Sequence, residues 1–191
     1  MPELDLTTLP ECFAPLVDAY FGRVGTVHPQ LLDGDTMPEP YRGLLVNRSD
    51  MTPTLERFHA CSLHITILGR TGHGDEYRRQ VVLLDPKGSA VEYGAIRIHF
   101  ATLTPPAREQ VLVGRRPLGG VLRQFAIPHS SNPSAFFSVV PDDAIAAALR
   151  LPAASRPLLY GRCNTLLHSD GRSIAEVVEI LPPYPHPHPQ S

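Results

Sequence analysis

After residue 60 the chain changes its repeat, and that change limits what it can fold into. In SLHITILGR, Leu63, Ile65 and Ile67 alternate with Ser62, His64 and Thr66, the two-residue period of a strand with one covered face. EYRRQVVLLD continues the pattern, with Arg79, Val81 and Leu83 on one side and Arg78, Gln80, Val82 and Leu84 on the other. PKGS is turn chemistry, and AVEYGAIRIHFATL follows as a third strand in which Gly94 marks a bulge or a close backbone approach. Strands joined this closely predict an antiparallel meander, and a meander needs helices or further strands over its apolar face.

Helical spacing flanks this stretch. ECFAPLVDAYFG sets Phe13, Leu16, Val17 and Tyr20 on one stripe, with Gly22 as the stop. QLLDGD reads as a short apolar turn, and GLLVNRSD as a short strand or turn. SDMTPTLERF spaces Met51, Leu55 and Phe58 for a helix, with Asp50 or Thr52 as the cap and Pro53 in its first turn. Further on, PPAREQVLVG predicts a helix stopped by Gly114, and PLGGVLRQFAI a second ended by Pro128. SAFFSVV is a strand, and PDDAIAAALRL a helix with acidic residues at its start. PLLYGRCNTLLHSDGRSIAEVVEILPP closes the chain with two apolar strands around the tight turn SDG. The fold class is α+β, helices on a mostly antiparallel sheet.

Composition narrows the functions available. A chain of 191 residues, 42% of them hydrophobic, supports one domain with a real core. A net charge of -2 and a pI near 6.5 argue against a broad nucleic-acid footprint, so no nucleic-acid partner is expected. No run of apolar residues approaches a membrane span and no secretory signal opens the sequence, so a cytoplasmic location is expected. Cys12, Cys61 and Cys163 are widely spaced without a CxxC pair, as reduced thiols would be. The end, PPYPHPHPQS, reads as an extended solvated tail whose His186 and His188 form no closed metal site. His59 and His64 are five apart, which is not zinc spacing on a helix, so no metal is expected. There is also no GxSxG elbow, GxGxxG fingerprint or Walker loop.

Three features carry candidate chemistry. In VGRRPLGGVL, Pro117 fixes its φ and Gly119 and Gly120 tolerate any, so a helix starting there would present free N–H groups from Leu118 to Gly120 to an anion. An ordinary helix-to-helix turn explains the same residues. In YRRQVV, alternation sends one of Arg78 and Arg79 toward the covered face, either into a buried ion pair or as a clamp for a carboxylate. In SIAEVVEILP, Glu176 and Glu179 have opposite parity, so one of them faces inward, as a salt-bridge partner or an acid–base group.

In order, SDMTPTLERF, YRRQVVLL, GSAVEYGAIRI, REQVLVGRRPLGGVL and DGRSIAEVVEILP resemble the chorismate lyase superfamily over about residues 44–182. The resemblance implies a six-stranded antiparallel sheet with helices over a buried cavity, in a monomeric protein. It implies a lyase that eliminates pyruvate from chorismate to give 4-hydroxybenzoate without a cofactor. Carried over by motif, Met51 would lie against the ligand and Arg79 would bind a carboxylate. Leu118 and Gly119 would offer their backbone, and Glu179 would face the hydroxyl and the leaving ether. Arg78 is the rival of Arg79, Glu176 is the reserve for Glu179, and Ala95 stands where the lyase pattern has Arg. The same fold also implies alternatives, a non-catalytic effector-sensing protein for small aromatic acids or a related lyase giving another hydroxybenzoate. On this reading residues 1–43 are a lead-in with one helix, 44–182 the domain, and 183–191 the tail.

Overall fold

A computed structural model describes residues 9–19, 27–153 and 155–184. The expected tail from 185 onward and the helix stop at Gly22 lie outside the described residues. The meander forms as β2 (His64–His73), β3 (Glu76–Leu84) and β4 (Ala90–His99). The closing strands are β6 (Leu159–His168) and β7 (Ser173–Leu181). Two more complete the sheet: β5 (His129–Val139) and a three-residue edge strand, β1 (Gln30–Leu32). The order is β1-β5-β6-β7-β4-β3-β2, with every pairing antiparallel. The fold class is as expected, with β1 as a seventh strand where a short apolar turn had been anticipated.

Two other elements differ from the sequence reading. The GLLVNRSD stretch is not a strand. Tyr41–Leu45 form a one-turn helix, α2, and bends follow it to Ser49. Tyr41, Leu44 and Leu45 are buried by it, and that tertiary burial overrides a weak local preference. Strand β5 runs well ahead of SAFFSVV, and its register shifts between Pro133 and Ala135, which takes a proline without an N–H into the ladder.

Parity along the strands divides the core. On one face, Tyr93 and Ala95 of β4 and Val178 and Ile180 of β7 pack under Phe13, Leu16 and Ala19 of the N-terminal helix α1 (Ala14–Ala19) and its preceding turn. Ile145 and Leu149, from α6 (Asp143–Ala148) and its cap, complete that cluster. On the other face, Val81, Ile96, Ile98 and Val177 pack under α4 (Pro105–Val113) and α5 (Leu118–Gln124). Beside them, α2 and α3 (Met51–His59) cover Leu63, Leu83 and Leu181. The N-terminal segment, read from sequence as a lead-in, therefore contributes to the same core. At the other end Tyr184 packs against Tyr41 with tilted rings, centroids 5.5 Å apart, and its N–H donates to the Tyr41 hydroxyl.

Gly114 ends α4 in the left-handed region, φ 72°, as the sequence stop signal required. Gly161 is needed for a different reason. A Cβ there would stand 2.5 Å from the Glu179 carbonyl oxygen and 2.5 Å from Phe137 Cζ. Backbone on one side and a buried ring on the other leave no room to yield. Gly161→Ala is expected to cost about 1–3 kcal/mol of unfolding free energy in a denaturant titration. A change of under half that would mean the strands part more easily than this packing implies.

Candidate functional site

A cavity lies between the sheet and the starts of α3 and α5. Its floor follows from strand register. Arg79 of β3 stands opposite Ile96 of β4, Ile96 opposite Val177 of β7, and Val177 opposite Asn164 of β6. One rung along, Val81, Gly94, Glu179 and Arg162 form the next row, and Leu83 and Glu92 the row after that. Asp50, Met51 and Thr52 from α3 and its cap, with Pro117, Leu118 and Gly119 from the start of α5, make the roof. The empty space there, about 550 Å³, includes open solvent.

The structure brings the five residues marked from sequence, Met51, Arg79, Leu118, Gly119 and Glu179, to this one cavity. It also separates Arg79 and Glu179 from their rivals. Arg78 lies on the opposite face, where it pairs with Glu76 and, at 3.2 Å, with Asp18 of α1. Glu176 lies there too, 2.8 Å from His99 Nε2 and bonded by the Ser173 hydroxyl. Arg115 and Arg116 are exposed. One expectation about the PLGG turn is corrected: the Gly120 N–H is not free for an anion, because it donates to the Pro117 carbonyl at 3.0 Å.

Arg79 is 2% exposed, and among the described residues its one hydrogen-bond partner is the Val111 carbonyl, at a long 3.5 Å from Nη1. Its Nε and Nη2 have none. Burial pulls the guanidinium down to a pKa of about 10, which still leaves it charged at neutral pH. Glu179 is differently placed. Its carboxylate accepts from Arg162 Nε at 2.5 Å, and Arg162 is fully buried. Arg162 also donates to the carbonyls of Leu45, Asn47 and Ser49, so this pair anchors the segment that leads into α3.

Sequence reasoning missed Arg162 and Glu92. Arg162 gave the same signal as Arg79, a cation inside an apolar strand, in LLYGRCNTLL. Glu92 lies within AVEYGAI, where both faces are buried and alternation carries no information. Burial, and next the charge of Glu179, hold the Glu92 carboxyl well above the usual carboxylate range, with Arg162 opposing.

At the cavity mouth Asp50 Oδ2 accepts from His129 Nε2 at 3.1 Å and from Arg123 at 3.4 Å. A Cβ on Gly119 would sit 3.1 Å from the same oxygen, so glycine lets α5 approach the cap of α3. The hydrogen bond to Asp50 raises the His129 pKa from 6.5, and that from His129 lowers the Asp50 pKa from 3.8. The His129 contribution to stability is complete below pH 6.5 and is lost as pH rises through its higher folded value; the Asp50 contribution is lost only on acidification below 3.8. Stability measured from pH 6 to 8 should therefore fall in the native protein and fall less in His129→Gln. Parallel curves would show that the contact carries no proton linkage.

Among the described residues, no cluster of His, Cys, Asp and Glu is arranged to hold a metal ion, and no helix is long and apolar enough to cross a membrane. No protein-family model matches the chain, and no curated protein matches its sequence. Solved structures do match in three dimensions. PhnF from Mycobacterium smegmatis superposes with a TM-score of 0.55 at 14% identity, covering 71% of this chain and 64% of that one. The effector domain of PhnF gives 0.52 at 15% identity, covering 69% of this chain and 87% of that domain. A GntR-family transcriptional regulator from Bacillus cereus gives 0.46 at 13%, covering 68% and 94%. The match thus spans less than two thirds of the whole PhnF chain.

These likenesses correct the expectation of a chorismate pyruvate-lyase, and with it chorismate, pyruvate and 4-hydroxybenzoate as substrate and products. A solved structure matched over most of its length is an effector domain. The local geometry agrees, since Glu179, the expected acid, is bound up in an ion pair with Arg162. The exclusion of nucleic acid as a partner is corrected as well. Net charge describes the surface of this chain alone, so it does not exclude nucleic acid reached through another unit. This chain has the α+β fold of the PhnF effector domain.

Proposed function

We propose that this chain is a non-catalytic, effector-sensing domain whose cavity binds a small aromatic acid. The observation that carries the reading is Arg79, a charged guanidinium with two unpartnered nitrogens, buried in a cavity that also holds the apolar side chains of Met51, Ile65, Ile96, Leu118 and Val177 and the carboxyls of Asp50, Glu92 and Glu179. A buried cation without a counter-charge is costly, and a carboxylate that accepts two N–H bonds from it removes that cost. The apolar walls suit a planar ring. On this reading Met51, Leu118 and Gly119 contact the ring, and Glu179 acts through Arg162 as a support for the α3 roof. The domain would pass its ligand state to a DNA-binding unit and so to operator DNA, the partnership that the regulator likeness suggests.

Thermal unfolding with benzoate and with benzamide tests the charge requirement. Benzoate at a hundredfold excess over its Kd should stabilise the fold by about 2.7 kcal/mol, and neutral benzamide should not. Equal shifts from the two compounds would count against a carboxylate site.

A further inference from the structure

Among the described residues, Arg79, Arg162, Glu92 and Glu179 are the charged side chains buried in the core. Arg162 and Glu179 satisfy each other. Unpartnered atoms remain on the other two, Nε and Nη2 of Arg79 and Oε2 of Glu92, and both residues line the cavity. They are not placed to meet. Arg79 stands opposite Ile96, and Glu92 opposite Leu83. Four residues of strand separate the two positions, about 13 Å of backbone. Glu92 is 5% exposed, and the groups that act on it are Glu179 from β7, Arg162 from β6 and Tyr184 beyond β7. Burial, and next the charge of Glu179, favour the neutral form of its carboxyl, the form that has an O–H to donate.

We propose that Glu92 selects the ligand: its carboxyl O–H meets a hydrogen-bond acceptor at the end of the molecule remote from the carboxylate on Arg79. The inference rests on the reading of the cavity as a carboxylate site, and charge balance sharpens it. With Arg162 and Glu179 neutralising each other and Asp50 held by His129 and Arg123, Arg79 is the uncompensated charge among the described residues that line the cavity, so a monoanion completes the site. A dianion would set its second carboxylate against Glu92 and beside Glu179, and it is rejected. Gly94, in the row between Val81 and Glu179, keeps the floor open between the two ends. A Cβ there would reach within 3.0 Å of Val81 Cγ2 and 3.5 Å of Glu92 Oε1.

Calorimetric titration of the full chain at neutral pH with benzoate, 4-acetylbenzoate and terephthalate tests this. The acetyl oxygen should tighten binding about tenfold over benzoate, the size of one hydrogen bond to a buried donor. Terephthalate should bind at least about tenfold more weakly than 4-acetylbenzoate. Glu92→Gln, whose amide N–H still donates, keeps the preference for the acetyl compound. Glu92→Leu, similar in bulk and without a donor, erases it while benzoate binding persists. Three outcomes overturn the role of Glu92 and leave the carboxylate site standing: equal affinity for benzoate and 4-acetylbenzoate, terephthalate bound as tightly as 4-acetylbenzoate, or a preference that survives Glu92→Leu. Failure of all three acids to bind overturns the carboxylate reading and the role of Glu92 with it. Where Glu92→Leu does not fold by circular dichroism, the native series and Glu92→Gln decide the matter.

Discussion

Arg162→Met will lower the unfolding free energy by about 3–5 kcal/mol, the usual consequence of stripping one partner from a buried ion pair. The substitution leaves Glu179 as an unpaired carboxylate, 6% exposed, beside Glu92. It also removes the donor from the carbonyls of Leu45, Asn47 and Ser49, which tie the approach to α3 onto the sheet. Domains of this size carry only about 5–15 kcal/mol in total, so the variant will unfold at a much lower denaturant concentration. The double variant Arg162→Met/Glu179→Leu should regain a large part of the loss, because a well-packed apolar pair replaces the charges without stranding either one. A single variant within 1 kcal/mol of the native protein, or a double variant no better than the single, would show that the pair does not hold this face together.

Arg79→Met should behave in the opposite way. Among the described residues no carboxylate pairs with Arg79, and its Nη1 bond to Val111 is long. Methionine of similar length removes a buried charge that the fold does not need, so stability should hold within about 1 kcal/mol or rise. Binding of an aromatic carboxylate should fall by about a hundredfold or more, the loss of two charge-assisted hydrogen bonds. The two arginines, both buried in adjacent rows of one sheet, thus separate into one that maintains the structure and one that waits for a ligand.

How much of this was legible in the sequence depended on the distance over which each feature is decided. The strands β2 to β4 were readable because alternation is local, and Arg79 because a cation in an apolar strand is conspicuous. The choice between Arg78 and Arg79 was not local. It rests on Asp18, which α1 brings to the far face. Likewise Glu176 and Glu179 are distinguished by His99 and Arg162, from neighbouring strands. Glu92 left no trace because Val91, Tyr93 and Ala95 around it are all buried. β1 and α2, at three and five residues, are too short for periodicity to register. The lyase expectation failed for another reason. The order of motifs specifies an architecture, and an architecture carries no commitment to chemistry. The residues that bear on chemistry, Glu179 held by Arg162 and Glu92 buried beside them, were visible only once the strands were in register.

The central claim is that Arg79 is kept charged and unpartnered for a carboxylate ligand. Calorimetric titration of benzoate into the native protein and into folded Arg79→Met tests it most directly. The native protein should give a saturable isotherm, and the variant, with its unfolding midpoint unchanged or raised, should give none at the same concentrations. Isotherms of equal affinity in the two proteins, or no heat of binding in either, would contradict the assignment of this cavity.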